Sequence, residues 1–120
     1  MTTTTRLNEI DLAAVGSLVR AIQVDSTIAA TKWQAEVTWQ KGFQVEARSR
    51  DLPVQEFDEP PTLGGSNAAA NPVEQVLSAL GACLAIGYAS NASAAGIEIK
   101  DLRIELEGDL DLHTFLGLAA

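Results

Sequence analysis

One cysteine, one histidine and only eight lysines and arginines in 120 residues remove most routes to a functional site. A single thiol, Cys83, leaves no internal disulfide framework and fits a reducing compartment. His113 has no cysteine or second histidine at ligand spacing, so no zinc site can be drawn and the residue reads as part of a loop. No phosphate-cradling loop and no Ser-His-Asp arrangement is present, and the inventory implies no metal or cofactor. The few cations are scattered along a chain of formal charge −8. Nucleic acid needs a basic stripe and anionic membranes need a polybasic segment; both are disfavoured. No basic segment followed by an apolar core opens the chain, so no secretory signal is expected. The longest weakly polar run, residues 76–95, is interrupted by Ser78, Ser90, Asn91 and Ser93, and reads as a core helix, not a membrane span. A soluble cytoplasmic protein is expected, with one domain over residues 1–120 and a flexible Thr-rich tail at 1–6.

What is there centres on residues 71–95. Asn71 is a helix cap, Pro72 suits the first helical position, and Glu74 stands where a capping-box carboxylate reaches back. Val73, Val76, Leu77, Leu80, Cys83 and Leu84 recur at three- and four-residue steps, which puts the thiol on an apolar face. Alanine and glycine fill most of the remaining positions. This predicts a helix buried on several sides with a neighbouring backbone close against it.

Elsewhere the patterns are shorter. Asn8 with Asp11 predicts a helix start, and Ile10, Ala14, Leu18 and Ile22 carry that helix to about Gln23. Residues 33–40 alternate apolar and polar, turn at Gln40-Lys41-Gly42, and alternate again from Phe43, which predicts a hairpin. Residues 51–61, with three prolines and four carboxylates, predict an irregular or edge segment. Thr62 to Ser66 predict a flexible turn. Residues 97–106 alternate with a change of parity near Lys100-Asp101, which predicts a strand with a bulge. Three or four strands cannot cover Trp33, Trp39 and the central helix, and the apolar run 115–120 has nothing to close it. Extensive dimerisation, or a longer parent chain, would resolve both.

Three blocks of this layout match a family. Asp58-Glu59-Pro60-Pro61-Thr62-Leu63-Gly64-Gly65, Asn71-Pro72-Val73-Glu74 and Ala79-Leu80-Gly81-Ala82-Cys83-Leu84 resemble the osmotically inducible protein C and organic hydroperoxide resistance (OsmC/Ohr) family. Glu107-Gly108-Asp109-Leu110-Asp111-Leu112 and Phe115-Leu116-Gly117-Leu118 are similar to its OsmC-like subgroup. The resemblance implies an α+β fold with an N-terminal helix, antiparallel strands and a long buried central helix, completed by an intertwined homodimer. It also implies reduction of organic hydroperoxides by a reactive cysteine on that helix. A second cysteine resolves the product, an external dithiol reduces it, and an arginine and a glutamate help to ionise the first thiol. Cys83 corresponds to the reactive cysteine. The resolving cysteine belongs to a C-terminal part that this chain is expected to lack, so an external thiol must serve. Arg48 and Arg50 are the nearest arginines to the family's position, and Glu59 or Glu56 stands for the glutamate.

Taken by itself, each of these residues also has an ordinary reading. A cysteine on an apolar helix face is a small hydrophobe unless its pKa is lowered. The helix dipole acts within the first turn, while Cys83 lies on the order of 18 Å beyond Asn71. A cation must therefore come from another element. Arg48 and Arg50 otherwise belong to a solvated strand face, Glu74 is a cap, and Trp33 and Trp39 are core or line an apolar pocket in the dimer. Two functions stay open. One is thiol-dependent reduction of organic hydroperoxides through Cys83 in an oxidative stress response. The other is a non-catalytic dimer that binds a small apolar ligand, with Cys83 a buried structural residue.

Overall fold

Asp11 opens the first helix: its carboxylate accepts from Ala14 N at 3.0 Å, and α1 runs Leu12–Val24. Asn8, expected in that capping role, is engaged elsewhere. Its side chain donates to Ser93 Oγ (2.8 Å) and Ile97 O (2.9 Å) and accepts from Ile99 N (2.8 Å). That clasp joins the start of the chain to the far end of the central helix. The computed structural model describes residues 4–118; residues 1–3 of the expected tail and 119–120 of the apolar end lie outside them. Residues Thr4–Glu9 form an irregular 3-10 turn that positions the clasp.

The hairpin forms, with shifted bounds. Strand β1 covers Glu36–Lys41 and β2 covers Gln44–Arg48. Glu36 is paired with Arg48, the last residue of β2, so Trp33 to Ala35 have no partner to extend the ladder. The turn is Gly42-Phe43, one step later than the composition suggests, because Lys41 still pairs with Gln44 across an irregularity after Trp39. Gly42 takes the left-handed φ of +55° that a two-residue hairpin turn requires. Residues 51–61 do supply an edge strand, β3 (Gln55–Phe57), antiparallel to β2. The sheet order is β1-β2-β3.

Central helix α2 spans Pro72–Ala94 with the full capping box: Glu74 N donates to Asn71 Oδ1 (2.8 Å) and Asn71 N to Glu74 Oε1 (2.9 Å). Residues 97–108 then run back along it. Leu102 lies near Tyr88 and Ala92, Leu106 sits on Gly81, and Gly108 lies beside Leu77. A Cβ on Gly81 would come within 2.6 Å of Leu106 Cδ1, which is the close approach that the small residues of this helix allow. The expected strand at 97–106 does not form. Its alternation is intact, but among the described residues no neighbouring strand offers a ladder, and the segment stays extended and unpaired.

Helices and a three-stranded antiparallel sheet make this an α+β fold. The central helix is not buried, contrary to expectation: only Gly81 and Ser93 of α2 are, and no apolar side chain is buried among the described residues. The return segment covers Gly81 on the small-residue side, where Ala85 is half-buried and Ser78 and Ala82 stay exposed. Val76, Leu80, Cys83 and Leu84 stand open on the other. A radius of gyration of 19.6 Å compares with roughly 14 Å for a compact chain of this length.

Candidate functional site

The start of α2 is tied to the sheet by a set of amide and carboxylate contacts. Gln75 Nε2 donates to Glu56 O (2.6 Å) and Ala70 O (2.8 Å), and Gln55 Nε2 donates to Gln75 Oε1. Asn71, while capping the helix, also donates from Nδ2 to Glu59 Oε1 at 3.2 Å. Strand β3, the loop 58–70 and the helix cap thus form one frame.

At its centre is Asp58, the most buried large side chain described, at 1 % exposure. Its carboxylate accepts from Glu59 N (2.7 Å), Ala68 N (3.1 Å) and Ser66 N (3.4 Å). Three backbone donors on one carboxylate fold the loop around it. The Glu59 N–H first, with those of Ala68 and Ser66, holds the carboxyl below the usual carboxylate range, against the opposing effect of burial. Because the folded value is depressed, this contribution is complete above the unfolded value of about 3.9 and is lost as pH falls through the folded one. In Asp58→Asn an amide NH₂ replaces an acceptor among those donors. The melting temperature of the variant should lie below that of the parent at neutral pH, and the gap should narrow as pH drops below about 4. A constant gap across that range would show that the charge of Asp58 does not hold the loop.

Against this frame lies an apolar cavity of about 530 Å³, lined by Trp39, Phe43, Phe57, Pro72 and Phe115, with Asp58 and Glu59 at one side. A second cleft, of about 690 Å³, collects Trp33, Glu36, Arg48 and Arg50 at the other end of the hairpin.

The expected site residues therefore occupy three places. Cys83 is exposed on the open stripe of α2, not buried. Arg48 and Arg50 line the Trp33 cleft, where Arg48 Nη1 donates to Leu52 O at 3.4 Å. Glu59 stands at the helix cap beside the aromatic cavity, while Glu56 lends its backbone carbonyl to Gln75. No hydrogen bond or ion pair among the described residues joins Cys83 to any of them within one chain. Glu74 is the cap residue that its spacing indicates. His113 lies in the turn after residue 111, its Nδ1 against the Asp111 carboxylate. Asp58 was hidden among four carboxylates in an acidic, proline-rich stretch, because its partners are backbone amides that composition does not display.

An α+β protein with its one thiol displayed on a long, small-residue central helix is the class that fold and site define. Residues 64–119, a little under half of the chain, match the family model described as OsmC-like protein, and this supports the OsmC family for that stretch. The matched stretch contains α2 and Cys83; Arg48, Arg50 and Glu59 precede it. No curated protein matches the chain. Among the described residues, the one helix long and apolar enough to cross a membrane is α2, by length and composition alone. The core helix of a soluble protein satisfies that test equally.

Proposed function

We propose that this chain is a subunit of a cytoplasmic OsmC-like homodimer that reduces organic hydroperoxides through Cys83, at the expense of an external thiol or dithiol. The observation that carries the proposal is the position of the only thiol: mid-helix, in the family-matched stretch, on an apolar stripe that one chain leaves open. The exposed surface of 9794 Å² supports the dimer, since a compact monomer of this mass exposes about 6,200 Å². Losing even half of that excess on each subunit would make an interface of obligate size. A second copy over the stripe would shield Cys83 in an apolar pocket that favours alkyl or aryl peroxides over hydrogen peroxide. An arginine from the hairpin of either subunit, Arg48 or Arg50, would stabilise the thiolate, with Glu59 orienting it.

The chemistry needs no cofactor. The Cys83 thiolate attacks the terminal peroxide oxygen; an S–O bond forms as the O–O bond breaks. Sulfur loses two electrons, and the peroxide leaves as an alkoxide that takes a proton to become the alcohol. With no second thiol in the chain, an external thiol attacks the sulfenic acid, releases water and leaves a mixed disulfide, which a second thiol reduces. Separation of Cys83 from Arg48, Arg50 and Glu59 within one chain favours the second reading, a non-catalytic dimer binding a small apolar ligand.

Sedimentation and turnover, measured together, test the proposal. At micromolar concentration the protein should sediment as a dimer or larger and consume cumene hydroperoxide only when dithiothreitol is supplied. A compact, well-folded monomer, or a dimer inert with every thiol offered, would overturn it.

A further inference from the structure

Four of the six aromatic side chains in this protein, Trp39, Phe43, Phe57 and Phe115, line a single cavity. They come from β1, the hairpin turn, β3 and the turn beyond residue 111, so the concentration arises only in the fold. Two are held in place. The Trp39 indole donates from Nε1 to Gly42 O at 2.7 Å, and the Phe43 ring edge lies against Gly64, where a Cβ would come within 3.2 Å of Cε2. The recess has a volume of about 530 Å³, within the range of small-molecule sites, and is open: Trp39, Phe43 and Phe115 all keep exposed surface that a ligand could cover.

Its charge is one-sided. No lysine or arginine lines it, whereas Asp58 and Glu59 do, in a protein of net charge −8. The carboxylate of Asp58 is taken up by three backbone donors. Glu59 shares a single hydrogen bond through Oε1 with Asn71 and keeps acceptor capacity at the rim. Aromatic ring faces are the negative end of a quadrupole and attract desolvated cations, most strongly when a carboxylate stands close by. An anion would be repelled by both features, and a neutral hydrocarbon would use only the apolar wall.

We propose that the cavity of Trp39, Phe43, Phe57 and Phe115, with Glu59 at its rim, binds a hydrophobic organic cation: a quaternary or tertiary ammonium with an aryl or alkyl arm. Within one chain the recess lies apart from Cys83, although it shares Glu59 with the proposed thiol site; cation binding is read without turnover, so either reading can fail alone.

Titrating the native protein calorimetrically with benzyltrimethylammonium and with its uncharged isostere neopentylbenzene tests the proposal. The cation should bind saturably and about tenfold or more tightly than the isostere. Phenylacetate should not bind. Glu59→Gln, whose amide oxygen still accepts from Asn71, should weaken the cation roughly five- to tenfold and leave the isostere unchanged. Trp39→Leu, at a position 67 % exposed, should weaken the cation more than the isostere. Equal affinity for cation and isostere, no saturable binding of the cation, or unchanged cation affinity in both variants would overturn the proposal. Should Glu59→Gln fail to fold, as judged by circular dichroism, the Trp39→Leu comparison decides.

Discussion

Cys83→Ser is expected to reduce hydroperoxide turnover to background, a loss on the order of a thousand-fold or more, while melting temperature and oligomeric state remain as in the parent. A serine hydroxyl has nearly the shape of the thiol but does not ionise near neutral pH and cannot be oxidised to a sulfenic acid. The substitution therefore separates chemistry from packing. On the exposed stripe of α2 the side chain of residue 83 stands open within one chain, so a packing role would need a partner surface. The measurement is steady-state consumption of cumene hydroperoxide with dithiothreitol, with thermal melts of both proteins. Residual turnover within a few-fold of the parent would remove Cys83 from the reaction. A collapsed dimer with turnover lost in proportion would make the residue structural, as in the ligand-binding reading.

Gly65→Ala is expected to be the most damaging conservative change in the loop. A Cβ at Gly65 would stand 2.0 Å from Glu59 O, 2.5 Å from its carbonyl carbon and 2.8 Å from its Cα. These are backbone atoms, so no side chain can rotate aside. Relief requires the loop to lift from Glu59, which disturbs the Asn67 N to Glu59 O bond (3.0 Å) and the donors gathered on Asp58. A cost of about 3 kcal/mol is expected, lowering the thermal midpoint by roughly 10 °C or more. Gly16→Ala provides the contrast. Gly16 lies inside α1, where an added Cβ meets only the flexible Arg20 guanidinium at 3.4 Å. There the change should stabilise by about 0.5–1 kcal/mol. Equal effects at the two positions would mean that the 58–70 loop yields without loss and that the frame around Asp58 is not rigid.

How much of this was legible in the sequence depends on how local each signal is. The cap of α2 was readable because Asn71, Pro72 and Glu74 carry it within four residues, and the hairpin because alternation and a glycine turn are adjacent. The spacing of Asn8 to Asp11 imitates a cap, while the real partners of Asn8 lie 85 or more residues away. The alternation at 97–106 is a genuine strand pattern, but a strand also needs a neighbour, and one chain presents none. Burial failed in the same way. The stripe of Val76, Leu80, Cys83 and Leu84 has the period of a core face, and periodicity does not say whether the covering surface belongs to the same molecule. The aromatic cavity was invisible because its walls come from four separate segments.

The central claim is that Cys83 is a reactive thiol, and intact-mass spectrometry of the native protein after one equivalent of cumene hydroperoxide tests it most directly. A gain of about 16 Da, or of about 32 Da where the unprotected sulfenic acid is oxidised further, is expected at Cys83 and should be absent from Cys83→Ser. Brief dithiothreitol should reverse the first of these. An unchanged mass in the folded protein, with Cys83 open to alkylation only after unfolding, would contradict it.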